Sequence, residues 1–272
     1  MFDPKQYVAL RKPMVFRFHQ LNCAPTVVID MDVDIEPALA YKAALSQRGE
    51  TAGVKVSLNH IVLKATAMAL REHILFNYEY NGHFRLQAND RIDIRSPVQQ
   101  GDLPIPVVVP ETDRKSVIEI ARCWAEREAE TRVAVQRYQQ RRLRFERLPL
   151  LPELLGHALI ASMPLQKWVP GWERRRFALE RRFMGSFMVT NVGTLGVTAC
   201  HGQLVKPSIA ALVVLALRED VEVVDGQPRL RRVLPLGLEF DQKMADAGDA
   251  ARFLAAIKRN LEQPEQCCEA EG

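Results

Sequence analysis

Leu234-Pro235-Leu236-Gly237-Leu238-Glu239-Phe240-Asp241 reads as a strand that runs into a polar loop, Gln242-Lys243-Met244-Ala245-Asp246-Ala247, before the last helix. That helix spans about Asp249 to Leu261, with Phe253, Leu254, Ile257 and Leu261 on one face. It stops before Pro264, and the tail beyond is expected to be loose. Working back from the strand, similar runs lie at Leu230–Leu238, Val221–Val224, Ile209–Leu217 and Ser186–Val192, the first two joined by a turn at Asp225-Gly226. Near the other end, Val27, Ile29, Met31, Val33 and Ile35 alternate with Asp30, Asp32 and Asp34, a period-2 strand with one dry and one acidic face. A helix follows from about Pro37 to Arg48. A second, over residues 57–73, gathers Leu58, Ile61, Val62, Ala65, Met68 and Ala69 on one face, with Ser57 as its N-cap. Tyr78–Leu86 reads as a hairpin turning at Asn81-Gly82, and residues 103–110 as an apolar strand punctuated by prolines. Asp113 is expected to start a helix through Val117, Ile118, Ala121 and Trp124. Strands and helices recur along the whole chain without strict alternation. That predicts one α/β domain over residues 1–272, a two-layer sandwich on a mixed sheet rather than a doubly wound parallel sheet.

The 272 residues are 47% hydrophobic and 26% charged, ordinary for a soluble globular protein and incompatible with general disorder. A net charge of +4 is too mild to imply nucleic acid. The charge is uneven, however. Residues 132–184 hold eleven arginines and Lys167 against four glutamates, a net of +8. This segment reads as a helical insertion. It begins with an Arg-rich helix (Arg137, Arg141, Arg142, Arg144, Arg147), continues through a proline-broken apolar stretch and sets Trp168 and Trp172 around Pro170-Gly171. It either packs on its own domain with solvated arginines or meets an anionic membrane surface or an acidic partner. The five cysteines (Cys23, Cys123, Cys200, Cys267, Cys268) lack metal-ligand spacing, and no secretory signal opens the chain. A reducing, cytoplasmic setting is expected, peripheral to a membrane if the insertion binds one. No stretch reaches the roughly 18–20 apolar residues that a spanning helix needs.

Short catalytic motifs are mostly missing. Gly193-Thr194-Leu195-Gly196 lacks the lysine of a phosphate-binding loop, and there is no Gly-x-Ser-x-Gly turn. His60 and His73 fall in a helical pattern and read as surface or packing residues. A pattern does run through the whole chain. Val54-Lys55-Val56-Ser57-Leu58-Asn59-His60-Ile61-Val62-Leu63-Lys64-Ala65 opens an Ala-rich helix, and Phe76-Asn77 follows it. Leu103-Pro104-Ile105-Pro106-Val107-Val108-Val109 leads into Asp113-Arg114-Lys115-Ser116. Gly185-Ser186-Phe187-Met188-Val189-Thr190-Asn191-Val192-Gly193 and then Leu234–Asp241 complete it. Together these runs resemble the catalytic domain of the dihydrolipoyl acyltransferases of 2-oxo acid dehydrogenase complexes, which shares its fold with chloramphenicol acetyltransferase. The resemblance covers about residues 10–265, apart from 132–184.

The resemblance implies a set of expectations. The family moves an acyl group between coenzyme A and a lipoyl thiol, using the motif Asp-His-Arg-x-x-Asp-Gly, whose His takes the thiol proton. The matching residues are Asp241-Gln242-Lys243-Met244-Ala245-Asp246-Ala247. Gln242 stands where the base should be, and a neutral amide cannot accept and return a proton near pH 7. Ala247 replaces a glycine whose backbone freedom would matter locally. Asp246 matches a structural salt-bridge acid whose partner is an Arg near the N-terminus, in the region of Arg11-Lys12; without the resemblance, 241–247 is a polar loop capping the last helix. Thr190, beside Asn191, matches the hydroxyl that hydrogen-bonds the oxyanion. His201, beside Cys200, is a candidate substitute base, although neighbours on a strand point to opposite faces. The family fold implies a homotrimer, or a multiple of three, with the site between subunits. No lipoyl domain is read before residue 25, so no covalent lipoyl site is expected and the acyl carrier or acyl-coenzyme A is expected in trans. Two functions follow: acyl transfer to a small acceptor, or a non-catalytic scaffold or regulatory member of the fold.

Overall fold

A computed structural model describes residues 26–47, 53–80, 86–100, 103–146, 185–202, 204 and 208–268. Its spine is the strand quoted first. β9 (Gln227–Asp241) pairs antiparallel with β1 (Thr26–Asp34) along one edge and with β7 (Ala210–Val214) along the other. Its first half pairs with β8 (Arg218–Val224) through the turn at Asp225-Gly226, where both residues take positive φ. The sheet order is β1-β9-β7-β6-β4-β5, with β8 on β9. β6 (Phe187–Asn191) runs parallel to both β7 and β4 (Ile94–Gln100), and β4 is antiparallel to β5 (Leu103–Val109). The mixed sheet and its helical layer bear out the α/β sandwich. The short β2 (Tyr78–Tyr80) and β3 (Leu86–Ala88) form the expected hairpin; its Asn81-Gly82 turn lies outside the described residues.

One sheet face carries the core. Leu236, Leu238 and Phe240 of β9 and Phe187 and Val189 of β6 join α1 (Glu36–Gln47), α2 (Leu58–Glu72) and α4 (Ala247–Glu262) in a single buried cluster. Phe253 of α4 stacks on Phe76 at 4.6 Å and meets the edge of Phe187 at 5.7 Å. α2 is more deeply buried than a one-faced helix: Lys64 is 1% exposed and its ammonium donates to the Asp113 carbonyl at 2.7 Å.

Four expectations change. β4 is a strand without a period-2 apolar signal in the sequence. Asp113 does not start a helix: residues Thr112–Arg114 form a 3-10 turn, and α3 begins at Val117, where the Ser116 hydroxyl and the Glu119 carboxylate cap it reciprocally. The Arg-rich stretch is not a helix of its own, because α3 runs unbroken from Val117 to Glu146. The tail is not loose up to residue 268: Pro264 opens α5 (Pro264–Cys268), which buries Cys267 and Cys268. The rest of the insertion, including Trp168 and Trp172, lies outside the described residues. Among those described, no helix is long and apolar enough to cross a membrane.

Candidate functional site

Strand alternation turns Phe187 and Val189 of β6 into the core and leaves Thr190 half-buried on the opposite face, with Asn191 at the strand end. The chain then turns tightly at Gly193. A Cβ there would lie 2.1 Å from the Leu215 carbonyl oxygen, so only glycine lets the turn rest on the end of β7. Asn191 donates to Asn59 Oδ1 at 3.4 Å, which ties β6 to the first turn of α2.

In that turn His60 occupies the third helical position after the Ser57 cap. Its Nδ1 accepts the Ser57 N–H at 3.2 Å, the role a Glu or Gln plays in a capping box. Burial pushes its pKa down to about 4 against a weaker opposing pull from Glu128, so the ring is neutral near pH 7. With Nδ1 accepting, the ring proton sits on Nε2. The Trp124 ring lies 5.8 Å from it, steadied by an indole N–H bond to Glu128 at 3.1 Å.

These parts surround a cavity of about 770 Å³. Thr190, Asn191, Asn59, His60 and Ser96 supply polar atoms; Val62, Trp124, Val214, Leu215 and Leu234 are among its apolar walls. His60 and Asn59 were not singled out from the sequence as site residues. The signal was present in Ser57-x-x-His60, which fixes the imidazole at a helix start.

The remaining candidates lie elsewhere. Gln242 is half-buried in the turn after β9. The Asp241 carboxylate accepts the Lys243 N–H at 2.9 Å and pairs with its ammonium at 3.3 Å, and that ammonium lies 5.8 Å from the Tyr80 ring centre. Asp246 is the N-cap of α4: Oδ1 accepts the Asp249 N–H at 2.8 Å and Asp249 returns the bond at 3.3 Å. Arg11 and Lys12 lie outside the described residues. Ala247 opens α4 with φ on the ordinary negative side, so the backbone freedom of a glycine is not needed there. His201 is exposed on the loop between β6 and β7, and the next residue, Gly202, donates its N–H to Glu239. Among the described residues no cluster of three or more His, Cys, Asp or Glu could hold a metal.

The sheet register separates the two chemical elements. Thr190 pairs with Val213, and Val213 with Gly237. Gln242 is five residues beyond Gly237, about 17 Å along the strand direction. That spacing along the sheet is longer than one substrate carbonyl spans.

A family model described as the 2-oxoacid dehydrogenases acyltransferase catalytic domain matches residues 5–144 and 174–269. Its unmatched stretch falls inside 132–184. The acetyltransferase component of the acetoin cleaving system of Bacillus subtilis is 25% identical over 94% of this chain and 54% of its own length. The chain spans about half or less of the first curated relatives it matches. Among solved structures, the cubic core of a pyruvate dehydrogenase multienzyme complex superposes with a TM-score of 0.66 at 22% identity, covering 96% of this chain and 90% of that one. A chloramphenicol acetyltransferase gives 0.50 at 18% identity, covering 92% and 94%. At these identities the structural likeness establishes the fold.

Proposed function

Because the chain belongs to the family of 2-oxoacid dehydrogenase acyltransferase catalytic domains, we propose that it moves an acyl group between coenzyme A, or another carrier thiol, and a small acceptor. The observation that carries this reading is the cavity onto which Thr190 opens. A thiol that has already lost its proton to solvent attacks the thioester there as thiolate, forming the new C–S bond and driving the carbonyl electrons onto oxygen. The Thr190 hydroxyl is suited to donate to that oxyanion, and collapse expels the first thiol as thiolate, which then takes up a proton. Cavity walls that carry no charge among the described residues suit a thioester and its neutral arm. We further propose a homotrimer or a multiple of three, in which Gln242 of one subunit approaches Thr190 of the next; the separation of these residues within one chain supports it.

Gln242 itself favours a second reading, a scaffold or regulatory member of the fold. An assay of acetyl transfer from acetyl-coenzyme A to dihydrolipoamide separates the two. The native protein is expected to be very slow, because general-base catalysis is typically worth about 100- to 10,000-fold. Gln242→His is expected to recover part of that, and His201→Ala to leave the native rate unchanged. A native rate near 10 per second that survives His201→Ala would show the account of the missing base to be wrong. A Gln242→His variant that folds but gains nothing favours the scaffold.

A further inference from the structure

The cavity beside Thr190 has a chemistry more specific than acyl transfer alone. Its volume, about 770 Å³, is far larger than an acetyl group needs and lies within the usual range for small-molecule sites. Among the described residues that one chain contributes to its lining, none is Asp, Glu, Lys or Arg, and the Lys243 that flanks Gln242 is already paired with Asp241. Leu58, Val62, Trp124, Val214, Leu215 and Leu234 give it apolar lining. Transferring a carboxylate into such surroundings without a cation carries a heavy desolvation cost.

One polar group in this wall is fixed in a single hydrogen-bonding sense. His60 is 6% exposed and lines the cavity. Its Nδ1 is occupied by the Ser57 N–H, which leaves Nε2–H as a donor that makes no hydrogen bond to a described residue. His60 borders the cavity, so a carbonyl bound there can take the place of water on this donor. With Nδ1 taken by the Ser57 N–H and Nε2 protonated, the neutral ring offers a proton to share but no free lone pair to act as a base.

We propose that this cavity selects an uncharged, apolar acyl chain longer than acetyl and excludes dicarboxylic acyl groups, and that His60 Nε2–H donates to the carbonyl of the thioester it admits. The proposal rests on the acyl-transfer reading for the identity of the ligand, but binding tests it without turnover.

The experiment is calorimetric titration of the full chain with S-acyl-N-acetylcysteamines, which lack the rest of the coenzyme A arm: acetyl, butyryl, hexanoyl and succinyl. Affinity is expected to rise about fourfold for each methylene that reaches the apolar lining, and succinyl is expected to bind no better than acetyl. The second arm compares the S-hexanoyl thioester with the S-hexyl thioether, which has no carbonyl. His60→Met fills a similar volume and carries no donor, and because its lost bond to the Ser57 N–H affects both ligands alike, the comparison of thioester with thioether isolates Nε2–H. It is expected to weaken the thioester about fivefold more than the thioether. Equal affinities for acetyl and hexanoyl, succinyl binding as tightly as hexanoyl, or no binding of any thioester would overturn the pocket. Equal weakening of thioester and thioether would overturn the donor. Selective binding with no turnover, even in Gln242→His, would leave the cavity standing and remove the transfer reading.

Discussion

A thiol must lose its proton before it attacks a thioester, and the amide of Gln242 has nowhere to put it. Transfer by the native protein must therefore draw on thiolate already present, so its rate is expected to climb about tenfold per pH unit below the thiol's own pKa. In Gln242→His an imidazole takes the proton, and the profile is expected to flatten above about pH 7. Initial rates from pH 6 to 9 measure both slopes; an unchanged slope in the variant would mean that residue 242 does not face the thiol. His60 gives a second pH dependence, this time in stability. Unfolded, its imidazole titrates near 6.5; folded, at about 4. Between those values the unfolded chain binds the extra proton, so His60 costs stability as pH falls from 6.5 to 4 and adds no slope above that window. The difference corresponds to roughly 3 kcal/mol. Urea midpoints at pH 4.5 and 7.5 are expected to differ less in His60→Gln than in the native chain, and an equal loss in both would contradict a buried neutral imidazole. The position of His60 three residues after Ser57 was legible in the sequence. Its place in a cavity was not, because Trp124 and Thr190 come from α3 and β6, far along the chain. Asp246 was the reverse: the plain reading of 241–247 as a loop that caps the last helix is what its side chain does.

At the scale of elements, period and turn chemistry made most of the sandwich legible. β1 showed its alternation, β8 and β9 their Asp225-Gly226 turn, and α4 its apolar face. β4 was hidden because Arg95, Pro97, Gln99 and Gln100 leave only Ile94 and Val98 to mark a strand. It is a strand because β5 and β6 flank it, a tertiary cause no local pattern records. α2 was read as one-faced and is buried nearly all round, since α3, α4 and α5 cover what a surface helix would expose. The junction of β6 with β7 is the element-scale feature most open to test. Gly193→Ala places a methyl group against the Leu215 backbone, which must shift, and Leu215 is a wall of the cavity. Chemical denaturation is expected to show a loss on the order of 1–3 kcal/mol, with weaker binding of apolar thioesters. Native stability and native binding together would mean that the turn does not rest on β7 as described.

For the whole molecule, the decisive quantity is the distance of about 17 Å that the register sets between the levels of Thr190 and Gln242. On the proposed reading, a working site that uses both positions is assembled from two copies, and closed cyclic symmetry would give each copy one such site. Light scattering at micromolar concentration is expected to give three subunits or a multiple of three. Complementation tests the sharing itself. The native chain has the hydroxyl donor but no base; Thr190→Ala combined with Gln242→His has the base but no donor. Each alone is expected to be slow. Co-refolded into mixed assemblies, the two chains bring Thr190 of one to His at position 242 of the other, and activity is expected to approach a fraction of that of Gln242→His alone. A mixture no faster than the average of its two components, with Gln242→His itself active and mixed oligomers shown by mass, would mean that each site is built within one chain. The register would then have to give way near the end of β9 to bring residue 242 across the sheet.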